Sequence, residues 1–479
     1  MKEKVLLILM LMVSALSANA QTTTLSPSPP VIKDQTPWDG FDQTWQNGSD
    51  RRDSALLHNK YVTGIMMVDA NVTYSFWNPN DQTVVGSTAL ARNNEMDVSD
   101  AVLGAEFNYD GARGRILTQL GTRSIVVPRN DLSPYRGQYD LADAYRYISE
   151  AYGGYHFNVL NGINVDGGLF MSYIGLNSYY QEENWEYQAS YTSDNTPWFF
   201  NGIRTQIFVT DKLKIEPWII NGWQSYGTFN ALPGVGGNIT YCPNENIKML
   251  TNDYYGTDDA GLFGRHRFHS DNSFLARYYH KPKSAKGITQ AAFSATFDIG
   301  DEKGDGVNGF NHFKTGDSAS GYAQYFVSWM VYNKVWFDHG KFGWYIGGGW
   351  MTNPGRYLVL APTGQASPFP NPYNPTQNGG EAGLDPFTEN PGNQFTGWDC
   401  STGLSWTPNQ TIEFKIEYVH RNASVPYFAG PGGVTSPTGY TTYTYTDPTT
   451  GVVSAEPPGW KPDLRTYEDR IILAIEFRL

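Results

Sequence analysis

The chain has 479 residues, a formal net charge of -13, 15% aromatic residues, 32 Tyr and 50 Gly. An acidic, aromatic-rich chain is a poor binder of nucleic acid. No apolar run of about 18 residues follows the amino-terminal one, so a membrane could be crossed only by a closed barrel, the one alternative to helices that pairs every backbone group in lipid.

Taken in order, Lys2 and Lys4 precede an apolar run over 5–16, and Ala18-Asn19-Ala20 places small residues before Gln21. This predicts a secretory signal peptide over 1–20, because the run is too short for a spanning helix. Residues 22–36 are rich in Thr, Ser and Pro and 37–60 are polar. The segment 21–60 therefore reads as a periplasmic leader or a plug-like segment. Cys242 and Cys400 invite a disulfide in an exported protein. The topology below places them toward opposite ends of their strands and predicts that they are unpaired.

From 61 to 479 the segments alternate with a period of two. Over 102–109, Leu103, Ala105, Phe107 and Tyr109 oppose Gly104, Glu106 and Asn108, and Asp110-Gly111 supplies a tight turn. Over 213–224, Leu213, Ile215, Pro217, Ile219 and Trp223 oppose Lys214, Glu216, Trp218 and Gln224. Pro217 lacks the donor a paired strand needs, which predicts a bulge or a local break. Over 290–298, Phe293 and Phe297 oppose Ser294, Thr296 and Asp298, and from 342 on Trp344, Ile346 and Trp350 oppose Tyr345 and three glycines. Ile412, Phe414, Ile416 and Tyr418 oppose Thr411, Glu413, Lys415 and Glu417. In the last strand, Ile471, Leu473, Ile475, Phe477 and Leu479 share one face, with Arg470, Glu476 and Arg478 on the other. Charges inside an apolar alternation suit a wall between lipid and water.

Connection lengths test this, because barrels of the outer membrane alternate short periplasmic turns with longer outer loops. Long connections fall near 78–99, 121–144, 175–197, 228–233, 257–263, 300–319, 354–395 and 423–465. Short ones fall near 110–111, 159–162, 211–212, 243–245, 282–287, 338–340 and 408–409. The alternation predicts an all-β, transmembrane, antiparallel up-and-down barrel of about 16 strands, with 14 to 18 admitted, both ends periplasmic, and 265–280 counted as one strand.

Asn184-Trp185-Glu186-Tyr187-Gln188-Ala189-Ser190, then Pro197-Trp198-Phe199-Phe200-Asn201-Gly202-Ile203-Arg204, and the Gly-rich aromatic strands that follow resemble the OmpL-like β-barrel porins of bacterial outer membranes. The resemblance covers most of the chain from about residue 60. It implies an outer-membrane pore and carries over no catalytic residue and no cofactor. The ending Phe477-Arg478-Leu479 also looks like the assembly signal of outer-membrane barrels, implying the barrel-assembly machinery and outer-membrane lipid as partners. It departs from that signal in its final Leu and in Ala474, which keep the apolar and small character of an aromatic and a Gly.

In trimeric general porins, which this architecture resembles, the third outer loop folds inward and narrows the channel. Here that loop is 175–197, with Glu182, Glu183, Glu186 and Asp194 among Tyr179, Tyr180, Trp185 and Tyr187. Opposite it the alternation turns Arg204, Lys214, Arg265, Arg267, Arg277, Lys341 and Lys415 inward. Acid loop against basic wall would set a transverse field that selects polar solutes by charge and size; alternatively the loop lies outside with its carboxylates solvated. Inward Glu106, Glu216, Glu413 and Glu417 make the lumen mixed in sign, so ion preference should be weak. The loop aromatics could stack on sugar faces, although most Trp and Tyr of a barrel belong to belts at the membrane boundaries.

Asp298, Asp301, Glu302 and Asp305 form a weak candidate for a metal site in a Gly-rich loop, without the spacing of an EF-hand. His266 and His269, three apart on a strand, point to opposite faces. No Gly-x-Ser-x-Gly, His-Glu-x-x-His or P-loop is present. The reading is a porin passing small polar solutes or ions, as a monomer or homo-oligomer, in the outer membrane. The alternatives are an occluded barrel acting through its outer loops and, third, a hydrolase built at the rim.

Overall fold

The computed structural model describes residues 38–479 apart from 39, 53, 129, 130, 132, 134–136, 229–231, 259–261, 283–286, 311–322, 354–394, 455, 456, 458 and 459. The expected signal peptide, over 1–20, lies outside the described residues. The barrel begins with β1 (Val62–Ser75), β2 (Met96–Tyr109), β3 (Ala112–Thr118), β4 (Ile148–Phe157) and β5 (Ile163–Met171). It continues through β6 (Phe199–Thr210), β7 (Leu213–Ile220), β8 (Gly234–Asn244), β9 (Ile247–Gly256), β10 (His266–His280) and β11 (Ile288–Gly304). It ends with β12 (Tyr325–Phe337), β13 (Phe342–Thr352), β14 (Thr396–Asn409), β15 (Ile412–Ala423) and β16 (Tyr467–Arg478).

Each of these strands pairs antiparallel with its neighbours in chain order, and β16 closes on β1 with Val68 opposite Phe477. The result is a closed 16-stranded antiparallel barrel. The period-two pattern orients it. Ile471, Leu473 and Ile475 are 37%, 51% and 42% exposed, while Arg470, Ile472, Ala474 and Glu476 between them are buried. That places the aliphatic row against lipid and the charges inside. Phe107, Ile219, Phe297, Ile346 and Ile416 are outward in the same way.

The turn between β2 and β3 shows why local sequence sets the register. Asp110 and Gly111 adopt φ of 50° and 79°, the left-handed pair of a two-residue hairpin that Asp-Gly accepts readily. At Pro217 the β6–β7 pairs run to Arg204 opposite Trp218 and resume at Ile207 opposite Ile215 in unchanged register. The local break is there, without a bulge, because proline has no N–H to give that neighbour. On its other side Pro217 pairs with Gly237.

Three boundaries depart from expectation. Strand β7 ends at Ile220, not 224, because the carboxylate of Asp258 takes the Trp223 backbone N–H at 3.0 Å and draws the chain out of the ladder. Strand β11 runs on to Gly304, inside the loop expected at 300–319, since Asp305-Gly306 folds Val307–Asn308 back onto it. The first outer connection ends at Met96, so 96–99 belong to β2. Cys242 and Cys400 are both free, one buried and one exposed.

Candidate functional site in the barrel lumen

The connection between β5 and β6, residues 172–198, turns into the barrel and reaches strands on its far side. The Tyr187 hydroxyl donates to Asp69 Oδ1 on β1 at 2.7 Å, and its N–H donates to Glu417 Oε2 on β15 at 2.5 Å. Ser190 Oγ donates to Asp399 Oδ1 on β14 at 3.0 Å. Lys415 Nζ donates to the carbonyl oxygens of Gln181 and Asn184 at 3.2 and 3.0 Å. Arg421 on β15 pairs with Asp194 at 2.7 Å, and both are buried. Trp185 and Tyr187 are fully buried within this packing, as are the nearby Tyr179 and Tyr180. These rings are interior contacts and not part of a membrane-boundary belt.

Residues 40–52 pack on the same loop. Trp185 Nε1 donates to the Trp45 carbonyl and Trp185 N to Asn47 Oδ1, each at 3.0 Å, while Trp45 Nε1 donates to the Glu245 carbonyl at 2.8 Å. Gly48 has φ of 75°, and a Cβ there would lie 2.4 Å from the Leu176 carbonyl oxygen. Only glycine allows the two backbones to approach so closely. Arg51 completes the seat, pairing with Glu413 on β15 at 2.8 Å.

The expected opposition of acid loop and basic wall is arranged differently. Glu182 and Glu183 both pair with Arg478 on the last strand, Glu182 at 3.5 Å. Burial pushes the Glu182 carboxyl up to about 8. Glu186 is fully buried and accepts from Asn177; burial raises its carboxyl too, against the nearby charges of Lys415 and Lys334. The wall cations are met by nearer carboxylates. Arg204 pairs with Asp166 at 3.0 Å, Lys214 with Glu216 at 2.5 Å, and Arg267 with Glu302 at 2.8 Å and Asp258 at 3.5 Å. Arg277 pairs with Glu245 at 3.0 Å and with Asp42. Arg265 donates to the Asp305 carbonyl at 2.8 Å. The charges that hold the loop are Lys415, Arg421 and Arg478. Their signal was the row of inward charges on the last two strands.

Asp298, Asp301, Glu302 and Asp305 do not converge. Strand alternation turns Asp298 and Glu302 to one face and Asp301 to the other, where Lys303 pairs with it at 2.6 Å, and Asp305 accepts from the Gly264 N–H. Among the described residues no group of three or more His, Cys, Asp or Glu side chains is placed to hold a metal ion.

Among the spaces beside the loop are two formed by described residues. One, of about 540 Å³, opens at the short-turn end and is lined by Asp50, Arg51, Glu182, Lys341, Glu413 and Arg478 among others. The other, of about 310 Å³, lies between the loop, Gly48 and the wall from β5 to β9, with Arg204, Lys214, Glu216 and Lys248 in its lining.

No curated protein matches the sequence. Solved structures of similar form include the trimer form of OmpT, an outer membrane protein of Vibrio cholerae, at 9% identity over 87% of this chain and 99% of that one, with a TM-score of 0.47. The outer membrane channel DcaP of Acinetobacter baumannii is similar at 11% identity over 87% and 97%, with a TM-score of 0.45. An anion-selective porin from Comamonas acidovorans is similar at 10% identity over 87% and 99%, also with a TM-score of 0.45. The family model described as Putative beta-barrel porin-2, OmpL-like matches residues 62–331, from the first strand into β12. With more than half of its length matched to that model, the chain belongs to the OmpL-like β-barrel porins of the outer membrane.

Proposed function

We propose that this porin is a passive aqueous channel for small polar solutes or ions, narrowed by residues 172–198 against β5–β9 and selective by size and lumen charge. The observation that carries the reading is the seat of the middle of the loop, about Tyr187 to Asp194, on one side of the wall. The hydrogen bonds and ion pairs of Tyr187, Ser190 and Asp194, with those of Glu183, run to β14, β15, β16 and β1. The first part of the loop also holds β4 through Tyr180 and β9 through Tyr173, and the 310 Å³ space lies on the β5–β9 side. Fixed charges lining such a gap replace the ordering that a solute loses with its water shell. Most wall cations there are matched by carboxylates, which supports a weak overall ion preference. Export by a signal peptide over 1–20, insertion by the barrel-assembly machinery, a lipid-facing girdle and homo-oligomerisation belong to the same proposal.

A second reading, the occluded barrel, draws on the packing of residues 40–52 inside the wall, where Trp45 is 1% exposed and its ring contacts Arg277. Single-channel current from the refolded chain in a planar bilayer separates the two. Regular steps in KCl support the channel, and step sizes that rise when 38–52 are deleted support a plug role for that segment. Insertion without steps would reject the channel reading in favour of occlusion.

A further inference from the structure

The spaces of about 540 and 310 Å³ differ in their balance of charge. The larger, at the short-turn end, is lined by acids and bases together, with Asp50, Glu182 and Glu413 set against Arg51, Lys341 and Arg478. The smaller, between β5–β9 and the loop, has Arg204, Lys214 and Lys248 in its lining and, among the described residues, Glu216 as its one acid. Its loop edge, drawn from residues 171–179, holds no charged side chain. The loop acids expected to oppose this wall are engaged elsewhere, Glu182 and Glu183 with Arg478 and Glu186 with Asn177.

Lys248 makes the difference. Every other Lys or Arg that the described barrel strands turn inward has a carboxylate within 3.6 Å. Lys248 has no such partner among the described residues, and its ammonium makes no hydrogen bond there. The register gives the reason. On β9, Lys248 stands opposite Leu275 of β10, and toward β8 the ladder is interrupted between Tyr241 and Asn244, where Cys242 is its neighbour. Neither a leucine nor a thiol supplies a counter-charge. The Lys334 ammonium is shut away from water, whereas that of Lys248, a half-buried side chain, opens on the space. An ammonium fixed in a narrow aqueous gap attracts anions and repels cations. At about 7 Å, even with the dielectric of bulk water, a unit charge changes the local concentration of an ion about threefold.

We infer that Lys248 is the selectivity residue of the channel and that the solutes favoured by this gap are small anions. The inference rests on the channel reading for its traffic. One fixed charge sets a modest preference, in keeping with the paired charges elsewhere in the lumen. Dissolved salt weakens it further, because ions screen a charge within about 10 Å at about 0.1 M and within about 3 Å at about 1 M.

The refolded full chain allows two measurements. In bilayers, reversal potentials under a KCl gradient give the permeability ratio of chloride to potassium, expected at about three in dilute salt and smaller near 1 M. Lys248→Arg should keep that ratio, Lys248→Gln should bring it near unity, and Lys248→Glu should reverse it. In detergent micelles, in a Cys400→Ser background, a Leu250→Cys reporter two residues along the same strand face is labelled with methanethiosulfonates bearing a sulfonate or a trimethylammonium group. Relative to their rates with free cysteine, the sulfonate reagent should react about threefold faster, and Lys248→Gln should remove the difference. Current steps with a wild-type ratio at or below unity, or with a ratio that Lys248→Gln leaves unchanged, would keep the channel and overturn the role of Lys248. Insertion without steps would reject the channel. The labelling then decides on Lys248 by itself: a sulfonate advantage abolished by Lys248→Gln supports the anion-attracting gap, and equal rates remove it.

Discussion

The hydroxyl of Tyr187 donates to Asp69 across 118 residues of sequence at 2.7 Å, joining the inward loop to the first strand. Both groups are buried, and without this bond Asp69 would keep a carboxylate oxygen shut away from water. Tyr187→Phe should destabilise the barrel by about 1–3 kcal/mol. It should also make the open current noisier as the loop loosens. Urea midpoints in detergent and current variance in bilayers measure the two effects, and an unchanged midpoint with a quiet current would show that the bond does not hold the loop.

Arg421 and Asp194 form a buried pair with side chains 0% and 4% exposed, and Arg421 also donates to the carbonyls of Gly86 and Ala189. Removing Asp194 leaves Arg421 with the more distant Asp399, at 3.8 Å. Asp194→Asn should therefore lower stability by up to about 3–5 kcal/mol. Replacing both partners with Asp194→Leu and Arg421→Met should cost less than the sum of the two single changes, because the paired charges are removed together and only Asp399 loses a partner. A double substitution as damaging as the sum of two singles would refute this.

Glu182 supplies a pH dependence. Its folded carboxyl is raised by burial to about 8 from its ordinary 4.5. Over that interval the folded state holds a proton the unfolded state has released, so stability falls as pH rises. The contribution is fully present below 4.5 and gone above about 8. Between about pH 6 and pH 9 the urea midpoint should fall in the wild type and fall less in Glu182→Gln, and the channel should become more cation-preferring. Identical pH profiles for the two proteins would exclude Glu182 as the source.

Gly48 tests the seat of the amino-terminal segment. A Cβ at this φ of 75° would meet the Leu176 carbonyl at 2.4 Å, so Gly48→Ala must push two backbones apart. Hydrogen exchange should speed up over 40–52 and 175–187 while the barrel strands stay protected. Uniform loss of protection would mean that segment and wall do not separate.

The barrel itself was legible because alternation needs only the residue and its neighbours at two positions. Ile471, Leu473 and Ile475 declare their face without reference to any other strand. Asp110-Gly111 fixes its turn through φ alone. The interior was less legible because its partners are remote. Nothing near Glu182 in sequence points to Arg478, nearly 300 residues away, whereas Lys214 and Glu216, two apart on one strand face, form a pair that the alternation brings together. Inward direction could be read for Arg204, Arg267 and Arg277, but pairing could not. The buried state of Trp185 was hidden for a further reason. A tryptophan in an aromatic barrel has two common fates, belt or core, and its own sequence surroundings are alike in both.

Val68 meets Phe477 at the seam of the barrel, and this pairing closes the longest loop in the fold. The entropy of closing a loop grows with its length, so the seam is the least favoured contact to make by backbone alone. Arg478 and Lys415 beside it find their partners on residues 181–184, and Arg470 reaches Gln188. The final strand therefore gains the contacts of Arg478 and Arg470 with residues 182–188 only when the contents are already seated, while Glu476 and Asp469 meet β15 within the wall. Filling the wall thus favours shutting it, and on global unfolding loop and seam should be lost together in a single transition.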